Sequence, residues 1–385
     1  MQAQKLSPAA RIDSYNRFDF SPSTRQQLLK IFGKEKPWKL QATRRADGKV
    51  DVSLALDSLD YSDPVLGAKI RLAPETGLAT FDNTFRQAEV NFGMPWMKLE
   101  HQDGWILAMD RLSGQATQHL GNHDLWLGKA NFLIESIDVT DASAENITSI
   151  RGIEWTSEIS QHGKMVDISY AVSSQSAKFG GTELGALRFV FKMNNLNEQA
   201  LSATKKGIDR QVTSTEPEEK QNAAILALLK KNGIKMLTPT TSLDIDEISV
   251  VYHDLKAVVR GKVWLNQAKQ SDLLSFDKWK DKLALHFDME MPMGFAEDVA
   301  RFFSRRSLQQ KLEPGQTVTE DAVNQSANLM VTQMVENLRA QKMIRVDNGV
   351  LRSSLDYSAG KFKVNGNPVN FNLPKLNAGG AKAGG

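Results

Sequence analysis

The sequence predicts an α+β fold dominated by a large, curved, mainly antiparallel β-sheet, with several amphipathic helices covering a face or an end. Two observations carry this: small polar turns set between alternating strands, and helical stripes confined to a few segments. Asp47-Gly48 falls within residues 38–56, Asp103-Gly104 within 96–112 and His162-Gly163 within 155–172. Ala359-Gly360 and Asn365-Gly366 divide residues 351–371 in the same way. Such pairs accept the positive φ angles of tight hairpins, so each predicts two neighbouring antiparallel strands.

Residues 1–36 read as a polar lead-in followed by a short helix. Ser21-Pro22 starts it, Leu28, Leu29 and Phe32 form its apolar face, and Gly33 ends it. Residues 37–206 form an N-terminal β-rich half. Val50, Val52, Leu54 and Leu56 alternate with Asp51, Ser53 and Ala55, and further strands cover about 66–72, 86–92, 125–139 and 187–193. Such alternation gives one buried and one wetter face. Segments 56–60, 134–138 and 193–197 each read as an apolar strand running into a small polar exit.

Residues 207–240 form a helical connector. Thr215-Glu216-Pro217-Glu218 matches a capping box, Ile225, Leu228 and Leu229 make a stripe, and Lys230, Lys231 and Gly233 end the helix. Residues 241–371 form a C-terminal β half with a helical insertion. One apolar-rich stretch covers 248–265. Leu283, Leu285, Phe287, Met289 and Met291 then alternate with Ala284, His286, Asp288 and Glu290. Phe295, Val299, Phe302 and Phe303 share a helical side. Thr317 with Glu320 caps a second helix whose stripe is Val323, Ala327, Met330, Met334 and Leu338. Residues 372–385 read as a flexible tail.

Composition excludes several classes. With 48 basic and 45 acidic residues the net charge is +3, so no strong field marks a nucleic-acid partner. The absence of cysteine removes disulfides, thiolate metal sites and a cysteine nucleophile. No apolar run approaches the roughly 18 residues of a membrane span. Met1-Gln2-Ala3-Gln4-Lys5 has no apolar leader, which reads as a cytoplasmic protein or a form lacking its targeting segment.

Chemical candidates are few. His119 and His123, with Asp124 beside them, have the spacing of a helical metal pair, but Gly121 and Asn122 make a polar turn the better reading. Asp244 with Asp246, or Asp57 with Asp60, could form an acid/base pair, yet carboxylates are common at strand ends. Neither a phosphate-cradling glycine loop nor a nucleophile elbow is present. The expectation is therefore a non-enzymatic protein with no cofactor and no metal. Phe92, Met94, Trp96 and Met97 cluster with Trp105 and Met109, and Met289, Met291 and Met293 cluster with Phe295. These read as a lining for acyl chains or as plain sheet core. Arg301, Phe302, Arg305 and Arg306 read as a face resting on a membrane surface, or as a solvated helix face.

Residues 149–201 carry a resemblance. Ile150-Arg151-Gly152-Ile153-Glu154-Trp155, the turn His162-Gly163-Lys164, the block from Phe179 to Gly185 and the run from Leu187 to Asn197 are similar to the YdgA-like family of bacterial envelope proteins of unknown function. The ending Leu355-Asp356-Tyr357-Ser358-Ala359-Gly360, continued to Pro368, resembles that family's closing strand–turn–strand. The resemblance covers most of residues 38–371. It implies a periplasmic domain tethered to the inner membrane by an N-terminal anchor, which this sequence lacks, and it supplies no catalytic residues. A looser fold-level analogy joins it to AsmA-like proteins, whose curved sheets hold lipid in a groove. The expected function is binding or shielding of a lipid or other apolar ligand in a sheet groove. The alternative is a scaffold or homodimer of the envelope with no small ligand.

Overall fold

The computed structural model describes residues 22–369, apart from 143–146, 180–181, 213, 215, 217, 275–277, 279–280 and 312–315. The lead-in over 1–20, the Ser21 cap, Thr215 and Pro217 of the expected capping box, and the tail over 372–385 lie outside the described residues.

One sheet of 20 strands organises the chain. Its first half comprises β1 (Trp38–Arg44), β2 (Val50–Leu56), β3 (Leu59–Asp63), β4 (Ala68–Leu72), β5 (Glu75–Phe81), β6 (Gln87–His101), β7 (Ile106–Leu120), β8 (Trp126–Thr140), β9 (Ile147–His162), β10 (Met165–Ser174), β11 (Ser176–Phe179), β12 (Thr182–Leu184) and β13 (Leu187–Asn197). The second half adds β14 (Ser242–Tyr252), β15 (Leu255–Leu265), β16 (Leu283–Pro292), β17 (Arg345–Asp347), β18 (Val350–Ser358), β19 (Lys361–Val364) and β20 (Asn367–Val369). Antiparallel pairing runs β1–β2–β5–β6–β7–β8–β9–β10–β13–β14–β15–β16–β18–β19–β20. The sheet is curved and does not close. Because β13 pairs directly with β14, it passes from one half of the chain to the other without a break.

The glycine turns sit where the sequence places them. Gly48, Gly104, Gly163, Gly360 and Gly366 all have positive φ. The apolar-rich stretch 248–265 comprises the end of β14 and all of β15. His253 and Asp254 turn it with φ of 45° and 62°, the two left-handed residues that a tight hairpin requires. Segment 134–138 lies inside β8 rather than at a strand exit, while 193–197 does end a strand.

A crease crosses four strands. Pro95, Arg111, Glu135 and Gly152 drop out of the β6–β7, β7–β8 and β8–β9 ladders along one line. Arg111 and Gly152 have φ of 40° and 57° there, and Arg111 Nε lies 3.1 Å from Glu135 Oε2. Apolar alternation shifts by one residue at the crease: Val90, Phe92 and Met94 precede it, Met97 and Leu99 follow it. Irregular residues of this kind bend strands. Below the crease β5 flanks β6; above it β4 takes that place.

Helices are α1 (Pro22–Phe32), α2 (Glu198–Val212), α3 (Glu218–Met236), α4 (Met293–Gln309) and α5 (Glu320–Ala340). The helix α2 begins directly after β13, at Glu198, before the start at 207 that the sequence predicts for the helical connector. Gly233 lies inside α3, which continues to Met236. The cap of α5 is Thr319, whose hydroxyl accepts from the Ala322 N–H, rather than Thr317. Its buried stripe is Val323, Ala327, Val331 and Val335, which leaves Met330 and Met334 exposed. Ala296 and Ala300 of α4 meet this stripe over Ile344 and Leu351. Small residues on α4 let the two helices approach closely. At the other end of the strands, Leu201 of α2 packs on Leu125, Leu127, Val166, Ile168 and Leu196.

Candidate functional site

Residues directly opposite in an antiparallel pair project from the same face, so register alone defines rows across a sheet. One row starts at Leu40, Leu54, Gly77 and Phe92. It continues through Gly114, Phe132, Trp155, Val172 and Phe189. It then crosses Ile248, Val259 and Met289 to reach Ser353 on β18. Until that serine every member is apolar or glycine. The next row on the same face reads Ala42, Val52, Ala79, Val90, Ala116, Ala130, Ser157, Tyr170 and Phe191. It goes on through Ile245, Gly261, Phe287, Leu355 and Val364.

One step along each strand, the opposite face is mainly polar, with Leu78 and Leu133 exposed on it. Gln41, Ser53, Leu78, Asn91, Gln115, Asn131 and Thr156 form its matching row. Further along, Lys256 Nζ lies 2.6 Å from Glu247 Oε1 and Lys262 Nζ 3.1 Å from Asp244 Oδ1. Lys256, with Ser249 and Arg188 behind it, holds the Glu247 carboxyl below the usual range. The hydrogen bond that His286 Nδ1–H donates to the Asp356 carboxylate, with Asp288 adding to it, raises the pKa of His286.

Aromatic rings line the apolar face. Phe92 and Phe132 have centroids 5.6 Å apart, Phe132 and Trp155 4.9 Å, Trp155 and Tyr170 6.3 Å, and Tyr170 and Phe191 5.3 Å. Two glycines make room for rings reaching across a strand. A Cβ at Gly114 would enter the Phe92 ring, and one at Gly261 would enter the Phe287 ring. Helices α2 and α4 cover the ends of this face, but its centre is open. Trp155 is 40% exposed, Val172 38%, Phe189 46% and Ile248 38%. Contiguous exposed apolar side chains of this kind mark contact surfaces.

The clusters picked from the sequence divide across this geometry. Phe92 and Met289 belong to the first apolar row, and Met94 lies in the row beside it with Leu112, Ile134 and Ile153. Trp96 and Met97 lie beyond the crease, Trp96 opposite Asp110 and Met97 opposite Met109. Trp105 stacks on His101 at the hairpin tip. Met291 and Met293 pack into the core under α4 and α5, whereas Phe295 is buried with its ring edge-on to Tyr252, centroids 6.4 Å apart. The sequence reading misses Trp155, Val172, Phe189 and Ile248 as exposed residues of this face, and the half-buried Phe132 as part of the same row. The signal available for them was register: the Asp103-Gly104 turn already sets Phe92 opposite Gly114.

Arg301, Phe302, Arg305 and Arg306 are partly exposed along α4. They line a cleft of about 790 Å³ between α4, the β14–β15 turn and β12. Arg301 is tied to Asp298 and, at 3.7 Å, to Glu297, and Arg305 reaches Glu320 at 2.6 Å. His253 Nδ1 lies 2.8 Å from the same Asp298.

The remaining candidates are held in local contacts. His119 is a β7 strand residue, and His123 sits in a turn with φ of 54°, its Nδ1 3.6 Å from the buried Glu198. Asp244 accepts from Asn194 at 2.6 Å, and Asp246 pairs with Lys192 at 3.4 Å. Asp57 pairs with Lys34, and Asp60 with Lys69 at 3.1 Å. Among the described residues no group of three or more His, Asp or Glu side chains is placed to hold a metal ion, and no helix is long and apolar enough to cross a membrane.

No curated protein and no solved structure matches the chain significantly. A family model does: "Bacterial protein of unknown function (DUF945)" matches residues 14–372. With almost its whole length under that match, the chain belongs to this bacterial family of unknown function.

Proposed function

We propose that this chain is a non-enzymatic protein of the bacterial envelope that binds or shields a lipid or another apolar ligand on the open face of its sheet. The observation that carries the reading is the register-linked apolar row, with Trp155, Val172, Phe189 and Ile248 exposed at its centre. A folded protein gains by covering such a surface, at about 25 cal/mol per Å² of apolar area. Acyl chains suit a long, shallow, aromatic-lined strip better than a compact polar metabolite does. The finer likeness to the YdgA-like family supports a periplasmic domain tethered to the inner membrane.

Native mass spectrometry with lipid extraction, on protein purified from bacterial membranes, tests this. Bound lipid is expected, and it should be lost in Phe189→Glu and Ile248→Glu. Protein that carries no lipid, or variants that retain it fully, would overturn the reading. The same uncovered face could instead seat a second copy, as in the scaffold alternative. A lipid-free dimer mass that collapses to monomer in Phe189→Glu would favour that.

A further inference from the structure

We infer that the ligand is a zwitterionic amphiphile, a phosphodiester bearing a primary ammonium, whose headgroup occupies the cleft beside α4. This inference rests on the lipid reading above and names the lipid class. The apolar face leads to the cleft along β14. Ile248, Val250 and Tyr252 stand at alternate positions of one strand, so they share a face and span about 14 Å. Tyr252 is both the end of that line and part of the cleft wall. Phe302 gives the cleft a second apolar wall.

Charge in the cleft is of both signs. Arg301 is matched by Asp298 and Glu297, and Arg305 by Glu320. Asp298 also holds His253. After those pairs are set aside, Arg306, Glu183 and Asp254 line the cleft with no ion pair among the described residues. A purely anionic headgroup would satisfy Arg306 and be repelled by the two carboxylates. A neutral diacyl lipid would satisfy none of the three. A phosphate on Arg306, supported by Arg301, with an ammonium against Glu183 and Asp254, satisfies all of them through charge-assisted hydrogen bonds.

The test uses delipidated protein titrated with three probes of identical acyl chains: phosphatidylethanolamine, phosphatidylglycerol and diacylglycerol, read by native mass spectrometry. Phosphatidylethanolamine should bind about tenfold more tightly than either other probe, the ratio given by one net charge-assisted hydrogen bond. Arg306→Gln and Glu183→Gln should each reduce that preference without abolishing binding. Phe189→Glu should weaken all three lipids together. If the three bind equally and the cleft variants change nothing while Phe189→Glu still abolishes binding, the headgroup inference fails and the apolar-face reading stands. Tighter binding of phosphatidylglycerol also overturns the zwitterionic assignment. If no probe binds, the apolar-face reading itself fails.

Discussion

Gly261 lies beneath the Phe287 ring, and a methyl group placed there measures how far the apolar rows depend on that seat. An ideal Cβ at position 261 would lie 2.6 Å from the His286 carbonyl oxygen and closer still to the Phe287 ring. The ring can turn, but the carbonyl is fixed by the β15–β16 ladder, in which Gly261 faces Phe287. Overpacking against an unyielding neighbour costs about 1–3 kcal/mol. Removing a strand glycine offsets about 0.5–1 kcal/mol of this through the unfolded chain. From the middle of each range, Gly261→Ala is therefore expected to lose about 1–1.5 kcal/mol. At an unfolding entropy of ~2.1 cal/mol/K per residue, the 385-residue chain loses about 1–2 °C in Tm. Gly114→Ala is the comparison. There the nearest atoms belong only to the Phe92 ring, which can swing aside, so its loss should stay below about 1 kcal/mol. Urea unfolding followed by tryptophan fluorescence reads both midpoints at constant slope. Gly261→Ala as stable as the parent, or less affected than Gly114→Ala, would refute the account of how the rings seat on the sheet.

Three further outcomes follow from local geometry. Leu351 is 1% exposed beneath α4 and α5, so Leu351→Ala should lose about 2–5 kcal/mol in urea unfolding, whereas the exposed Leu329→Ala should stay within about 0.5 kcal/mol. Thr319→Ala removes the α5 cap and should cost about 1 kcal/mol, with Thr319→Ser restoring most of it. His286 has its pKa raised in the fold by Asp356 and Asp288, so its stabilising contribution is present below its unfolded pKa and is lost as pH rises through the folded one. Stability measured across that window should fall with rising pH in the parent and change less in His286→Gln; parallel curves would contradict the assignment.

The hairpins were legible because Asp-Gly and Asn-Gly announce positive φ. The β14–β15 hairpin was not, because His253 and Asp254 adopt left-handed angles without glycine. His and Asp accept left-handed angles more readily than most residues, but they occur as often elsewhere, so without glycine they do not announce a turn; the register from Tyr252↔Leu255 onward shows it. In α5 the methionines Met330 and Met334 lie one position before Val331 and Val335, so two stripes of similar spacing competed. Which one faces inward was decided by Ala296, Ala300 and Leu351, residues distant in sequence from the helix. The same reasoning explains why the site was only partly visible. Phe92 and Met289 were found as members of local clusters, but a row takes one residue from each strand. Phe132, Trp155 and Phe189 meet only through register. Tight turns fix register for single hairpins such as β6–β7. The helices between β13 and β14 and between β16 and β18 leave it to long-range packing.

The apolar face is central to this account, and photocrosslinking from its two sides tests it most directly. A benzophenone side chain placed at Phe189 on the apolar face, or at Thr156 on the polar face, is irradiated in bacterial membranes, and adducts are identified by mass spectrometry. Lipid adducts at Phe189 and none at Thr156 are the predicted result. Equal labelling from both faces, or no lipid adduct at either, would contradict the assignment of the open sheet face as the ligand-binding surface.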